Sequence, residues 1–387
     1  MSQRVQAALW IVLGLVAVTL TLITGLLFIK SRQMGAASAS EPYRIVYTSL
    51  QEEGRARLMS SNLQGRNSRE LTDGKELDGW PVCAPSAPGE EARIAFIRLE
   101  LDQPDWGVET LPGGIYVVSA SGGEATQVNG AVKSLVLTAP TWSSDGKRLA
   151  FGGCEDLNGD GNLGLDEIGV YVCDVGSTQT TRVATAVVEG HGLAWSPAGE
   201  WGIVPMRRDN LPSTSLLDGS TGKLTPILEG QASRACWSPD GKRFAAFAEN
   251  RIHILPLGGG RPSTLDAPPG VVIELIWAPT PDAGEGRLLA VTAQQASQGA
   301  GQLFWRSPAA DSREGWQTLA FESPLFGISP SPDGRYVAFS VPTAGTVGGD
   351  VTNADLYLLE LGQPQPRCLT SDAGFEGLVT WVPVAAK

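Results

Sequence analysis

The chain has 387 residues, among them 47 glycines, 26 prolines, 11 tryptophans and only 2 histidines, and its formal net charge is −12. Turn-forming residues at this density favour many short strands over long helices, and 42% hydrophobic residues exclude global disorder. The acidic balance argues against nucleic acid as a partner, and 2 histidines leave little room for histidine-rich metal or Ser-His-Asp chemistry.

The first predicted element is an apolar segment at residues 7–29, which carries no charge. At about 1.5 Å per residue, a helix of this length spans roughly 34 Å, enough for the ~30 Å core of a bilayer. We therefore predict a flank at 1–6, a transmembrane helix or signal anchor at 7–29 and a linker at 30–43. Ala37-Ser38-Ala39 resembles a cleavage site, so a cleaved signal peptide is the alternative, although the apolar stretch is long for one.

Basic residues flank this segment almost equally, with Arg4 before it and Lys30 and Arg32 after it, so the positive-inside rule gives no clear orientation. A single N-terminal anchor most often exports the rest of its chain. We therefore expect a single-pass membrane protein with its main domain on the exocytoplasmic side, periplasmic or extracellular.

One pattern recurs through the rest of the chain: a short apolar strand, Trp-Ser-Pro-Asp-Gly, a basic residue and a second apolar strand. Clear copies begin at Pro140, Leu193 and Ala235, and the chain ends on VTWVPV from Val379, the first half of another copy. The tryptophan position recurs about every 50 residues, which is a typical period of four-stranded repeat units. Its occupants are Cys83, Trp142, Trp195, Trp237, Trp277, Pro330 and Trp381.

Each interval contains four short strands, here called a, b, c and d in chain order, with the tryptophan position in strand a. This predicts an all-β fold: a β-propeller of seven four-stranded antiparallel blades over residues 44–384, with six or eight blades left open. The folded part begins with a b strand at Arg44 and ends with an a strand, so we expect one blade to be built from both termini. The tryptophans are expected to pack between neighbouring blades, and the Asp-Gly pairs to form turns.

The WSPDG and LTDG strings resemble the TolB-like, WD-repeat-like propeller repeats of bacterial envelope proteins, which also occur in prolyl-oligopeptidase-type enzymes. The resemblance covers roughly residues 44–384 and is specific for the fold. It implies an interaction scaffold, often periplasmic or exposed on the cell surface, and does not identify a partner.

A b–c connection contains the sharpest chemical motif, DLNGDGNLGLDE at residues 156–167, which fits a calcium loop over all twelve positions. Oxygen-bearing side chains alternate through it, and a closing acidic residue can bind in bidentate fashion. The segment is flanked by strands rather than helices, and a metal-free turn is the alternative. We predict a structural Ca²⁺ site, and its ligands are Asp156, Asn158, Asp160, Asn162, Asp166 and Glu167.

The b–c connections are longer and less regular than the a–b turns, and function on rigid scaffolds concentrates in such loops. We expect the binding face on their side of the propeller. The predicted partner-binding residues are Asp102, Asp105, Trp106, Arg207, Arg208, Asp209, Asp350 and Asp355.

The sequence thus predicts a non-catalytic scaffold that binds a protein or a cell-envelope polymer and contacts the membrane through its N-terminal helix. No G-x-S-x-G elbow occurs, and no length remains for a hydrolase domain. The alternative is a propeller-type hydrolase or lyase acting on carbohydrate through paired carboxylates, although no pair stands out. The five cysteines have no metal-like spacing and give no disulfide framework.

Overall fold

Short antiparallel strands account for the regular structure of this computed structural model, and in its described ranges every regular element longer than one residue is a strand. The described residues are 41–50, 55–86, 90–99, 113–130, 134–136, 138–156, 167–188, 193–208, 211–228, 234–282, 284–294, 300–309, 315–343, 346–347, 350–351, 353–371 and 374–384. The predicted flank and transmembrane segment, and the linker up to residue 40, lie outside these ranges.

The strands fall into groups, named A to G, within which neighbours pair antiparallel. Group A contains β1 (Tyr43–Leu50), β2 (Ala56–Ser61), β3 (Arg69–Glu70) and β32 (Glu376–Pro383). Group B contains β4 (Leu77–Cys83), β5 (Arg93–Leu99), β6 (Gly113–Ser119) and β7 (Thr126–Gln127). Group C contains β8 (Ser134–Val136), β9 (Thr141–Trp142), β10 (Arg148–Glu155), β11 (Ile168–Asp174) and β12 (Thr180–Thr185). A single parallel bridge between Ala56 and Leu77 joins groups A and B.

Group D contains β13 (Val187–Val188), β14 (Ala194–Trp195), β15 (Trp201–Arg208), β16 (Leu211–Asp218) and β17 (Leu224–Leu228). Group E contains β18 (Arg234–Trp237), β19 (Arg243–Ala248), β20 (Arg251–Pro256) and β21 (Ser263–Asp266). Group F contains β22 (Val271–Ala278), β23 (Arg287–Ala293), β24 (Gln302–Arg306) and β25 (Gln317–Thr318). Group G contains β26 (Phe326–Pro330), β27 (Tyr336–Pro342), β30 (Ala354–Glu360) and β31 (Arg367–Cys368), with a two-stranded ribbon, β28 (Thr346–Val347) and β29 (Asp350–Val351), between its second and third strands.

The groups form a closed ring. Each group contacts the next one along the chain, group G contacts group A, and the contacts run mainly through the first strands. The ring closes where β1 pairs with β32, which places Ile45 opposite Trp381. A ring of antiparallel sheets with the first strands at its centre is the architecture of a β-propeller. The predicted all-β class is therefore confirmed.

Hydrophobic clusters fill the spaces between neighbouring groups. Successive residues of a second strand contribute to different clusters: Ile45 packs between groups G and A, and Val46 packs between A and B. Because side chains alternate across a strand, each of these sheets buries both faces. This explains why the second strands read as short continuous apolar runs such as IAF rather than as an apolar–polar alternation.

The repeated tryptophans link neighbouring groups, as predicted from their position. The indole Nε1 of Trp142 donates to Val82 O of the preceding group at 3.0 Å, and that of Trp237 donates to Ala194 O at 2.9 Å. An arginine of the preceding group lies over three of the rings, at 5.0–5.3 Å from the ring centroid. These contacts hold neighbouring groups together, and each of these N–H groups has its hydrogen-bond partner within the protein.

The repeat turns share one hydrogen-bond pattern. In the first clear copy, the Ser143 hydroxyl donates to Asp145 at 2.6 Å, and Asp145 accepts the Lys147 N–H at 3.1 Å. Gly146 has a φ of 65°, a conformation that favours glycine. The turns at Ser238 and Ser331 repeat these bonds at the same distances.

Candidate functional site

The antiparallel order of the strands gives the propeller two different ends. Each first strand runs from the preceding d–a connection towards its own a–b turn, so the a–b and c–d turns lie at one end and the b–c and d–a connections at the other. We call these the turn end and the loop end. The predicted partner-binding residues belong to b–c connections and hence to the loop end.

A cavity of about 440 Å³ opens at the turn end, where the first strands of groups A to D finish. Its size lies within the range of small-molecule and peptide side-chain pockets. The lining residues are Val82, Cys83, Pro85, Thr141, Trp142, Ser144, Trp195, Ser196, Pro197 and Thr380. We call it the axial cavity. In group B the repeat position holds Cys83 instead of tryptophan, and Cys83 forms part of the wall of this cavity.

Two threonine hydroxyls hold the first strands together around the axial cavity. The Thr380 Oγ1 accepts the Cys83 N–H at 3.0 Å, and the Thr141 Oγ1 accepts the Trp195 N–H at 3.3 Å. Each hydroxyl precedes a repeat tryptophan in sequence and bonds to the repeat position of a neighbouring group. Because a hydroxyl that accepts one bond still has its own O–H, both threonines can donate to a carbonyl of a bound molecule.

The thiol of Cys83 is not an activated nucleophile. Burial raises the pKa of Cys83 to about 11, so the thiol stays protonated at neutral pH. The described residues that line the axial cavity include no carboxylate and no imidazole, the side chains that exchange protons near neutral pH. The axial cavity is therefore equipped to bind an uncharged, partly apolar group.

Charged residues are buried nearer the loop end of the first strands. Asp78 on β4 is fully buried, and its carboxylate accepts two bonds from Arg98, at 2.7 and 2.8 Å. Glu274 on β22 accepts the backbone N–H groups of Gly327 and Ile328 in the next group, at 2.6 and 2.9 Å. Burial raises the pKa of Glu274, which remains bonded across the boundary between groups F and G. These charges are engaged in holding strands and groups together.

Two of the predicted calcium ligands lie in the described residues. Asp156 follows β10 and Glu167 precedes β11, and the register that pairs Cys154 with Ile168 places them at the mouth of one hairpin. Glu167 is buried, and its carbonyl accepts a hydrogen bond from the Tyr171 hydroxyl. Asn158, Asp160, Asn162 and Asp166 lie outside the described residues. Within the described ranges, no cluster of three or more His, Cys, Asp or Glu side chains is arranged for a metal.

The predicted partner-binding residues are only partly described. Arg207 and Arg208 end β15 of group D, Asp350 lies in the ribbon strand β29, and Asp355 lies in β30 of group G. Groups D and G are not neighbours in the ring. The described members are thus spread around the loop end. Asp102, Asp105, Trp106 and Asp209 lie outside the described residues, so their role remains a prediction.

Sequence analysis missed the axial cavity, because it treated the repeat tryptophans and turns as purely structural. The signal available in the sequence was Cys83, a small residue at a position that holds tryptophan in five copies. None of the five cysteines, all of which are described, forms a disulfide. None of the described residues, which exclude residues 1–40, belongs to a helix of the length and hydrophobicity needed to cross a membrane.

Neither a protein-family model nor a curated protein matches the sequence. Among solved structures, TolB from Acinetobacter baumannii matches with a TM-score of 0.50 and 16% identity, covering 89% of this chain and 68% of TolB. An oligogalacturonate lyase in complex with manganese matches with a TM-score of 0.58 and 10% identity, covering 83% of this chain and 86% of the lyase. A puromycin-hydrolysing peptidase from Mycobacterium tuberculosis matches with a TM-score of 0.57 and 13% identity, covering 86% of this chain and 54% of the peptidase. At these identities the likenesses show the fold alone, a TolB-like propeller.

Proposed function

We propose that this TolB-like propeller is a non-catalytic scaffold that binds a protein or a cell-envelope component. The observation that carries the proposal is the described lining of the axial cavity, in which indole rings, prolines and hydroxyls occur and none of the residues is a carboxylate or an imidazole. Such a surface offers apolar contact and a few hydrogen bonds, which bind and orient a partner. Acid–base catalysis needs carboxylates, imidazoles or similar titratable groups, which do not occur among the described lining residues.

The experiment is affinity capture with the tagged full-length protein from detergent-solubilised membranes, followed by identification of the captured partner. The decisive variant is Cys83→Trp, which introduces a bulky indole, the side chain found in five other copies, at the wall of the axial cavity. The matched control is Cys83→Ala, which removes the thiol and enlarges the cavity. We expect capture by the wild type and by Cys83→Ala, and loss of capture by Cys83→Trp.

Capture that is unchanged in a folded Cys83→Trp variant would refute the axial cavity as the binding site. A second arm addresses the carbohydrate-active alternative, in which the propeller is a hydrolase or lyase. The purified wild type is incubated with soluble polysaccharides, and new reducing ends and unsaturated products are measured. Products that accumulate with time would overturn the non-catalytic assignment.

A second contact surface is proposed at the loop end, and it consists of the eight residues predicted from the sequence. Arg207 and Arg208 at the end of β15 and Asp355 on β30 support this, since they lie on b–c hairpins that carry charge of both signs. Charge-reversal of Arg207 and Arg208 together tests the surface in the same capture assay. We expect a lower yield of captured partner, with a difference from the wild type that depends on salt concentration, because charges at the edge of an interface mainly change the association rate.

We also propose that groups A to G are the seven blades, and that residues 7–29 anchor them to the exocytoplasmic face of a membrane. The cyclic order of contacts supports the blade count, and the uncharged length of the segment supports the anchor. Carbonate extraction of membranes and protease protection of intact cells test the anchor and its orientation. Release of the protein by carbonate contradicts the anchor. Protection of the propeller from external protease, even after the outer layers of the cell are permeabilised, contradicts the orientation.

A structural Ca²⁺ in the loop at residues 156–167 completes the proposal. Its support is the motif together with Asp156 and Glu167 at the mouth of the β10–β11 hairpin. Calcium would neutralise the acidic side chains and order the connection. Isothermal titration of the full-length protein should give a heat signal with Ca²⁺ that Asp160→Ala abolishes. No signal from the wild type contradicts the site.

A further inference from the structure

A second cavity, of about 280 Å³, lies at the turn end of group F, between its a–b turn and its c–d turn. It is lined by Thr280, Asp282, Gly284, Glu285, Gly286, Arg287, Trp305, Arg306, Ser307 and Gln317. None of these residues lines the axial cavity. We call it the rim cavity. Its volume is just below the range of about 300–1,000 Å³ that is usual for drug-sized ligands, so it suits a ligand of one ring.

An oriented aromatic side chain forms part of the wall of the rim cavity. The indole Nε1 of Trp305 donates to the Gln317 Oε1 at 2.9 Å, and the ring also packs against the hydrophobic cluster between groups F and G. Its half-buried ring therefore has a fixed position. A held indole offers a flat apolar surface to a ligand, and its N–H is already satisfied.

The polar groups around Trp305 carry balanced charge. Asp282 and Glu285 supply carboxylates, and Arg287 and Arg306 supply guanidinium groups. A hydrogen bond from Thr280 lowers the pKa of Asp282, which is therefore ionised at neutral pH, and Glu285 pairs with Arg243 at 3.2 Å. Among the described lining residues, acidic and basic side chains are equal in number, so this part of the lining favours neither a free anion nor a free cation.

We propose that the rim cavity binds one uncharged sugar ring of a glycan. A pyranose presents an apolar C–H face and a rim of hydroxyls that both donate and accept hydrogen bonds. The Trp305 ring matches the apolar face, and the carboxylates, guanidinium groups and hydroxyls match the rim, since they supply acceptors and donors together. The site is independent of the axial cavity and extends the proposed scaffold role from a protein partner to a saccharide.

The test is saturation-transfer NMR on the purified full-length protein in detergent, with methyl β-D-glucopyranoside, methyl β-D-galactopyranoside and N-acetylglucosamine as probes, each at millimolar concentration. Inorganic phosphate is the charged comparison. We expect transfer to the ring protons of at least one sugar and no competition by phosphate. Trp305→Ala removes the aromatic face and should lower the affinity for that sugar by about tenfold. Trp305→Phe should retain most of the affinity.

Asp282→Asn should lower the affinity for the same sugar. The control is Asp240→Asn, the corresponding change in the repeat turn of group E, which should leave the affinity unchanged. The thermal midpoint of each variant separates loss of binding from loss of folding. The proposal is overturned if none of the three sugars binds, if a folded Trp305→Ala variant binds within twofold of the wild type, or if phosphate displaces the sugar. Cys83→Trp should leave sugar binding unchanged, so failure of the axial-cavity assay and failure of this one are distinguishable.

Discussion

Arg98→Met tests the buried ion pair at the loop end of group B. Asp78 has no exposed surface and the Arg98 side chain is 19% exposed, so water contributes little to either charge. The two hydrogen bonds, at 2.7 and 2.8 Å, are a bidentate pair, and the guanidinium also lies 4.7 Å from the centroid of the Tyr116 ring. Methionine keeps much of the volume of the arginine stem and removes the charge, which leaves the Asp78 carboxylate buried and without its cation.

Removing one partner of a buried pair typically costs 3–5 kcal/mol of unfolding free energy. Because Arg98 keeps some exposure, we expect about 3 kcal/mol for Arg98→Met, and less for Asp78→Asn, whose amide still accepts a bond. The assay is urea unfolding of both single variants and of the double variant, followed by tryptophan fluorescence. The double variant should be more stable than the sum of the single effects predicts, by ~2 kcal/mol. An additive cycle, or a cost below about 1 kcal/mol for Arg98→Met, refutes the reasoning.

Three further outcomes follow from the contacts described. Burial raises the pKa of Glu274 above its unfolded value of about 4.3, so the folded state binds more protons and the stability of the wild type falls as pH rises above that value. The thermal midpoint of Glu274→Gln should therefore rise relative to that of the wild type as pH increases above about 4.3, and a difference that stays constant with pH contradicts this. Gly334→Ala should lower the free energy of unfolding in urea by more than ~1 kcal/mol, because φ is 66° and an added Cβ would lie 2.2 Å from Pro279 O. The control is Gly199→Ala at the same repeat position, where an added Cβ meets nothing within 4 Å. Equal losses of stability in the two variants contradict the prediction. Because its pKa is about 11, Cys83 should react with iodoacetamide at pH 8 about a hundredfold more slowly than an ordinary thiol. The rate is measured by peptide mass spectrometry, and rapid labelling of Cys83 contradicts the raised pKa.

Much of the fold could be predicted from the repeat, because the features that define it are local. The turn at Ser143, Asp145 and Gly146 forms from neighbouring residues, so its sequence predicts its hydrogen bonds wherever it recurs. The partnership between the first and last strands was also predictable, since the chain begins at strand b and ends at strand a. The pairing of Ile45 with Trp381 is consistent with that expectation.

The candidate sites depend on contacts between residues that are far apart in sequence. The axial cavity exists because Cys83, Trp142 and Trp195 meet at the ends of three neighbouring first strands, and no single repeat contains that information. The same is true of Glu274, whose partners Gly327 and Ile328 belong to the next group. A repeat pattern also emphasises what the copies share, whereas a binding site arises where one copy differs.

The closure of the ring has a consequence for the order in which the chain can fold during synthesis. Strands β1 to β3 are made first, but the strand that completes their sheet, β32, is made last. Group A therefore stays incomplete while every other group is translated, and the edge of β1 that pairs with β32 is unpaired during that interval. Closure of the ring therefore has to wait until β32, which carries Trp381, has been made.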